Sequence, residues 1–568
     1  MGQSDHPKIK PMDRRSFFLL NRKTNVPADK AYAGLRFITS GLAPYGGPWT
    51  SAEVAHLLKR TMFGSKKADI DYFRSMSVAQ AVDALLTTSP APAPPIKTYD
   101  NTGIAGGDPE LGIPTGTTWV NTPTKDEEAN DKRIMSWKAW WTGLMINQDR
   151  SITEKLILFW HHHFTTEASM YRNGIAGYRH YVLLHQMGLG NFKQLVRGIT
   201  LDLAMLRYLN GYLNIKDAPD ENYGRELQEL FTLGKENNPN YTEPDVMAAA
   251  RVLTGWTIDL ATETVKFDPA KHDTNSKVFS SFYGTTIAGR SDATAGDAEL
   301  DDMLTMIFKK KVEVSEFIVR KLYRWFCYYI IDASTETNVI KPLAQLFRDG
   351  NWEIKPVLAT LFKSEHFFDV LNQGCLIKSP VDLTVGLCRE FGVSFPAPTD
   401  YGHVYNMWAF VQDMGGNMQQ NIGDPPGVSG WPAYYQLPQF HEMWINSDTL
   451  PKRNIYSDML VTIGYMRDNL MLKIDPVTFA KTLPNPGDPN ALINDSLTVL
   501  YRVPLSDASR LAIKKQILLS NQEQDYYWTN AWNAHINNPG NDTAYQTVNM
   551  RLQSMYKYFM NLAEYQLS

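Results

Sequence analysis

Along most of the chain apolar residues return every three or four positions, the spacing that lines one face of a helix. Thr50 with Glu53 and Ser77 with Gln80 are capping-box pairs, each opening such a stripe: Val54, Leu57 and Leu58 in the first, Val82, Leu85 and Leu86 in the second. The same periodicity predicts helices near 126–147, 151–165, 175–187, 190–209, 222–234, 243–255, 296–309, 312–331, 337–348, 353–364 and 380–391, and again over 452–471, 506–520 and 543–566. Three stretches break it. Residues 88–124, with a Pro-rich run from Ser89 to Pro95 and several glycines, read as an extended excursion. Residues 259–295 and 395–450 read as irregular, the kind of loop on a helical scaffold in which sites are built. Strand signals are sparse, Lys277 to Tyr283 being the best short candidate. The expected fold class is predominantly α-helical: a large multi-helix body with long irregular loops and few short strands. The expected domains are a tail over 1–49, a main body over 50–455 and a helical C-terminal extension over 456–568 packed on it.

The helix expected at 222–234 stands out for where its polar residues fall. At about 100° per residue, Tyr223, Leu227, Leu230, Phe231 and Leu233 form one apolar arc with Glu226 inside it. The pattern therefore predicts an inward-facing Glu226, which is costly as an ionised group unless paired, hydrogen-bonded or metal-bound. Asn222 and Glu229 border the arc, and Arg225 lies one turn before Glu229, so the four side chains are expected to converge.

A second polar group closes the helix near 151–165. Leu156, Phe159, Trp160 and His163 continue one stripe, so His163 is expected to point inward and His161 and His162 elsewhere. Three successive histidines on a helix diverge too far to chelate one metal together. A carboxylate partner for His163 is expected, either structural or, if it is Glu226 or Glu229, an acid and base pair. A metal held by His163, Glu226 and Glu229 is a further option. His272, Asp273 and Lys277 offer a base, an acid and a cation within one polar loop. Asp424 to Trp431 reads as a rigid wall, and Trp431 and Trp444 as stacking platforms for sugar rings. Glycoside hydrolysis would take its second carboxylate from an opposite wall, for which Asp273, Asp424 and Asp448 are candidates.

Composition narrows the classes. Among 568 residues, 56 basic and 60 acidic side chains give a net charge of −4, which excludes the broad basic surface of a nucleic-acid binder. Three cysteines are too few and too scattered for a disulfide framework. No apolar run reaches the length of a membrane-spanning helix. Asp13 to Leu20, with Arg14 and Arg15 before Phe17 and Phe18, resembles a twin-arginine export motif, but the apolar run stops at Asn21. A periplasmic or exported location follows if that motif works, a cytoplasmic one if it is vestigial. Phosphate-binding, dinucleotide, serine-elbow and EF-hand signatures are absent, so no cofactor is evident and a divalent metal is the one left open.

Several segments together resemble a bacterial family, domain of unknown function 1800, over about 50–455. They are Phe159 to Phe164, Gly190-Asn191-Phe192, Ala204-Met205-Leu206, the 221–234 helix, Tyr241 through Trp256, His272-Asp273 with Lys277, Lys378-Ser379-Pro380, Pro425 to Trp431, and Trp444-Ile445-Asn446 with Arg453. The chain departs from the usual pattern at Gly224, Asn210, Asp382 and His162. The resemblance implies a mostly helical, exported or envelope protein with a sulfatase-like partner, and carries no activity.

The functional expectation is an envelope hydrolase acting on glycan or another polymer. Glu226 serves as general acid or base, Glu229 and Arg225 tune it, His163, His272 and Asp273 lie nearby, and Asn222, Lys277, Trp431 and Trp444 bind substrate. The alternatives are a non-catalytic binding or assembly protein in which the same cluster is structural, and a metalloprotein.

Overall fold

Thr50 accepts the Ala52 N–H while Glu53 accepts the Thr50 N–H, and Ser77 and Gln80 repeat the arrangement, so helices Ser51–Thr61 and Val78–Leu85 start where the capping boxes predict. The computed structural model describes residues 38–101, 103–104, 107–235 and 241–568; the twin-arginine-like segment lies outside them. The fold is predominantly helical, with only three two-stranded antiparallel sheets among the described residues. Helices Glu127–Ile146, Gly174–Met187, Glu243–Val252, Ala295–Phe308, Lys311–Phe326 and Pro380–Glu390 match the periodic segments.

Where the boundaries differ, polar capping or proline is the cause. The expected 190–209 helix is two, Phe192–Thr200 and Leu203–Tyr208, because the Asp202 side chain accepts the Met205 N–H and starts a new helix. Residues 395–450 are not wholly irregular: helix Tyr401–Asn417 runs through them and packs on Glu127–Ile146, its Gly402, Gly415 and Gly416 having masked the periodicity. Helices Pro476–Lys481 and Pro489–Leu500 were likewise hidden by prolines, which here sit in the first turn after the caps Asp475 and Asp488. The helical segment expected over 452–471 ends at Thr462 and gives way to a hairpin of Tyr465–Arg467 with Leu470–Leu472. The strand expected from Lys277 to Tyr283 shortens to Lys277–Val278, paired with Thr286–Ile287.

Helix Thr153–His163 lies at the centre, and all of its residues are buried. His161 and His162 are therefore interior too, not only His163, because packing surrounds this helix rather than meeting one stripe. The excursion over 88–124 is extended, bridges Ile96 to Thr118, and buries Glu110 against Arg133 at 2.5 Å. One apolar core runs without interruption from Val54 to Tyr565. No described helix is long and apolar enough to cross a membrane, and Cys327, Cys375 and Cys388 form no disulfide among the described residues.

Candidate functional site

The 221–234 segment departs from the regular helix its sequence predicts. Asn222–Glu226 is α-helical, but Leu227–Thr232 is a π turn in which the Leu233 N–H reaches back five residues to the Gln228 carbonyl at 3.0 Å. The wider turn rotates the later residues, so the interior is met by Tyr223, Leu227, Gln228, Phe231 and Thr232. Gln228, not Glu226, is the buried polar residue; it donates to the Gly224 carbonyl at 2.9 Å and accepts from the Tyr283 hydroxyl at 2.7 Å. Glu226 is half-buried at the rim and Asn222 is exposed, which corrects the expected inward carboxylate and the four-residue convergence. Gly234 ends the turn at φ 74°, where a Cβ would stand 2.3 Å from the Phe317 ring.

Around this rim the charges sort into pairs. Arg225 grips Glu243 with both terminal nitrogens at 2.8 and 2.6 Å, holds Glu221 at 2.8 Å and reaches Glu229 at 3.9 Å. Glu229 is also held by Lys235 and bonded by the Tyr241 hydroxyl. Glu226 has no hydrogen bond or ion pair with any described residue. Burial and then the charge of Glu229 raise its proton affinity above that of an ordinary carboxyl, against the opposing pull of Lys235 and Arg225. The Tyr208 hydroxyl is pushed up to about 12 by burial and then by the charges of Glu167 and Glu226, two carboxylates from separate segments whose fields both reach this half-buried tyrosine. Glu167 follows directly on helix Thr153–His163 and accepts from the Ser169 hydroxyl at 2.8 Å. It was not among the sequence candidates, because nothing local marks a carboxylate whose neighbours come from distant segments.

His163 does not join them. Its Nε2 contacts the Phe231 carbonyl at 3.2 Å, and its ring is enclosed by Phe159, Trp160, Phe164, Phe192, Phe231 and Phe317, with no carboxylate partner. Burial in that aromatic cage drives its proton affinity far below the usual value, so the ring is neutral. The expected pairing with Glu226 or Glu229 does not form, and among the described residues no three His, Cys, Asp or Glu side chains gather as a metal site. His162 Nδ1 accepts the Trp431 N–H at 3.1 Å, an approach that Gly430 permits at φ 83°, since a Cβ there would lie 2.1 Å from that nitrogen. Trp431 is thus a buried packing residue rather than an open platform.

His272 and Lys277 are sealed rather than loop-exposed. Both bond Glu299, at 3.2 and 2.5 Å, with all three side chains at 0% exposure, while Asp273 turns away to Arg251 at 2.7 Å. Burial would raise the Glu299 carboxyl, but hydrogen bonds from His272 and Lys277 outweigh it and hold the group below its ordinary range. Asp273 is likewise penalised by burial, yet Arg251 and the Asn275 N–H bring it to about 2.

Trp444 lines a narrow hollow with Arg60, Lys155, Arg324, Ser379, Asp382, Tyr434 and His441, residues drawn from five distant stretches. Lys155 is ion-paired to Asp382, whose other oxygen accepts the Ser379 hydroxyl at 3.0 Å. One turn of helix earlier than Leu158, Glu154 is buried and has no cation partner among the described residues: Tyr181 and Trp141 donate to it at 2.7 and 3.2 Å, and burial pushes it up to about 7. A Glu and a Lys inside an otherwise apolar helix were the signal available for both.

The six residues expected to form one catalytic centre therefore occupy separate places: the rim with Arg225, Glu226 and Glu229, the aromatic cage of His163, and the sealed network of His272, beside which Asp273 turns to Arg251. What the fold and these sites define is a predominantly helical protein with a half-buried, carboxylate-rich rim and a narrow hollow lined by basic and aromatic residues. The chain belongs to the family described as Protein of unknown function (DUF1800), which it matches over residues 56–567, well past residue 455. No curated protein and no solved structure matches it.

Proposed function

We propose that the protein is a hydrolase of a glycan or similar polymer, acting at the half-buried rim that carries Glu226, with Glu167 and Tyr208 as its neighbours in charge. The observation that carries this reading is Glu226 itself: half-buried, raised in proton affinity and without a partner among the described residues, beside a Glu229 already engaged by Lys235. A carboxyl raised in this way suits an acid, with a second carboxylate from another segment as base. Glu226 keeps its proton to higher pH and donates it to the departing oxygen. Glu167, from the other segment, takes the proton of the attacking water, as the two opposed carboxylates of glycosidases do. Arg225 and Glu229 tune the field and do not touch substrate.

The test is release of soluble fragments from dye-coupled polysaccharides and peptidoglycan. Glu226→Gln is expected to lower release by about 10²-fold or more, the usual worth of a positioned acid, at unchanged melting temperature. Equal release by both forms removes Glu226 from catalysis. No release by the wild type from any polymer leaves the binding or assembly reading, which the sealing of His163 and His272 favours. An envelope location and a sulfatase-like partner belong to the same proposal; cell fractionation checks the first and co-purification the second.

A further inference from the structure

Helix Pro380–Glu390 ends where the Val393 N–H bonds the Cys388 carbonyl at 2.8 Å across Gly392, whose φ is 63°. Pro396 and Pro398 then hold the chain extended, off the neighbouring helices, until Tyr401–Asn417 begins. The space left beneath this segment is a cavity of about 270 Å³ that shares no residue with the Glu226 rim or with the hollow at Trp444. Its walls are mostly apolar: Ile146, Val393, Phe395, Pro396, Val404 and Trp408. An apolar cavity of about 150 Å³ holds benzene, so this one has room for a ring and a small polar group.

The charged residues that line the cavity, Lys66 and Arg389, are both basic. Arg389 is engaged: it donates to the Ile146 carbonyl at 2.9 Å and pairs at 3.3 Å with Asp69, which also holds Arg150 at 2.8 Å. Lys66 is half-buried just before helix Lys67–Arg74, and its ammonium has no hydrogen bond or ion pair with any described residue. Burial and then the charge of Arg389 lower its proton affinity, against the pull of Asp69, as they do for a cation that lacks an adjacent anion. The indole N–H of Trp408 is buried with no acceptor among the described residues, so the lining carries a second donor. Reactive groups are missing from the lining: it holds no carboxylate and no histidine, and burial pushes the Cys388 thiol up to about 12, which keeps it protonated at neutral pH. The cavity is therefore suited to binding rather than to chemistry. One available ammonium balances one negative charge, which matches a carboxylate better than a phosphate dianion, and the apolar walls match a hydrophobic body.

We propose that this cavity binds a small monocarboxylic acid with a ring-sized apolar body, its carboxylate paired with the Lys66 ammonium and its body against Ile146, Phe395 and Val404. Thermal melting and calorimetric titration of the full chain with benzoate test it, beside acetate, benzyl alcohol and inorganic phosphate, all at equal ionic strength set with sodium chloride. Acetate keeps the charge without the body, and benzyl alcohol the body without the charge. The expected result is a saturable rise in melting temperature with benzoate that exceeds the response to each of the other three. Lys66→Gln removes the charge and no ion pair, so it is expected to melt like the wild type without ligand and to bind benzoate about tenfold or more weakly. Phe395→Ala is expected to weaken benzoate about threefold or more and to leave acetate unchanged. No saturable response to benzoate, a response matched by benzyl alcohol, acetate or phosphate, or wild-type benzoate affinity in a folded Lys66→Gln protein overturns the proposal.

Discussion

Gln228, two residues after Glu226, takes the buried polar position that the spacing assigns to Glu226. Leaving Glu226 at the rim has a thermodynamic consequence. The folded-state proton affinity of Glu226 is raised, so over a window starting at the ordinary glutamate value the native chain holds a proton that the unfolded chain releases, and stability falls as pH rises through that window. Glu226→Gln removes this penalty. Its melting temperature is expected to equal or exceed that of the wild type near about pH 7.5, with the advantage gone near about pH 4, where both states are protonated. A lower melting temperature at the higher pH would mean that the carboxylate is structural. Glu154 carries the larger shift of the same sign, to about 7. At about pH 6 its carboxyl is expected to be mostly protonated, giving an infrared carbonyl band that persists at that pH and is missing in Glu154→Gln.

At the scale of elements, two contacts between distant segments hold the central helix and the hairpin region in place. The Lys277–Val278 strand and helix Ala295–Phe308 meet through Lys277 and Glu299, and Glu299→Gln leaves a fully buried ammonium without its counter-charge. Breaking such a pair from one side costs about 3–5 kcal/mol, read as a shift of the urea midpoint at neutral pH. The deficit is expected to shrink in acid, because the folded carboxyl lies below its unfolded value and its contribution is lost as pH falls through the folded value. Gly430 joins the 425–431 segment to helix Thr153–His163. Gly430→Ala forces a Cβ into His162 Nδ1 at a positive φ, so both steric overlap and backbone strain act against it. A loss of about 1–3 kcal/mol is expected, and wild-type stability in that variant would show that the approach is not tight.

For the whole molecule, the boundary expected near residue 455 falls within helix Thr449–Thr462, which packs on Asp542–Asn561. Contacts from the last residues reach the first described helix and the middle of the chain: Lys59 Nζ donates to the Leu500 carbonyl at 3.1 Å, Tyr565 to Glu390 at 3.3 Å, and Leu567 bridges Ile377. A core shared in this way should unfold as one unit. A single calorimetric transition is therefore expected for the full chain, together with failure of a 38–455 fragment to give a cooperative one. Two separable transitions, or a folded fragment, would establish independent domains.

The helices whose stripes meet a single neighbour were written in the spacing of their apolar residues, and so were the capping boxes at Thr50 and Ser77, the extended 88–124 excursion and the predominantly helical class. These depend on contacts within a few residues, which periodicity and capping chemistry report directly. The π turn at Leu227–Thr232, the all-round burial of His161 and His162, the sealing of His272 by Glu299 and the joint influence of Glu167 and Glu226 on Tyr208 were settled only by tertiary packing. Each depends on a partner tens or hundreds of positions away, and the free energy of burying or pairing a polar group belongs to that partnership, not to local spacing. The same reason hid the narrow hollow: Arg60, Lys155, Arg324 and His441 look unrelated along the chain and share a site only because one continuous core folds their segments together.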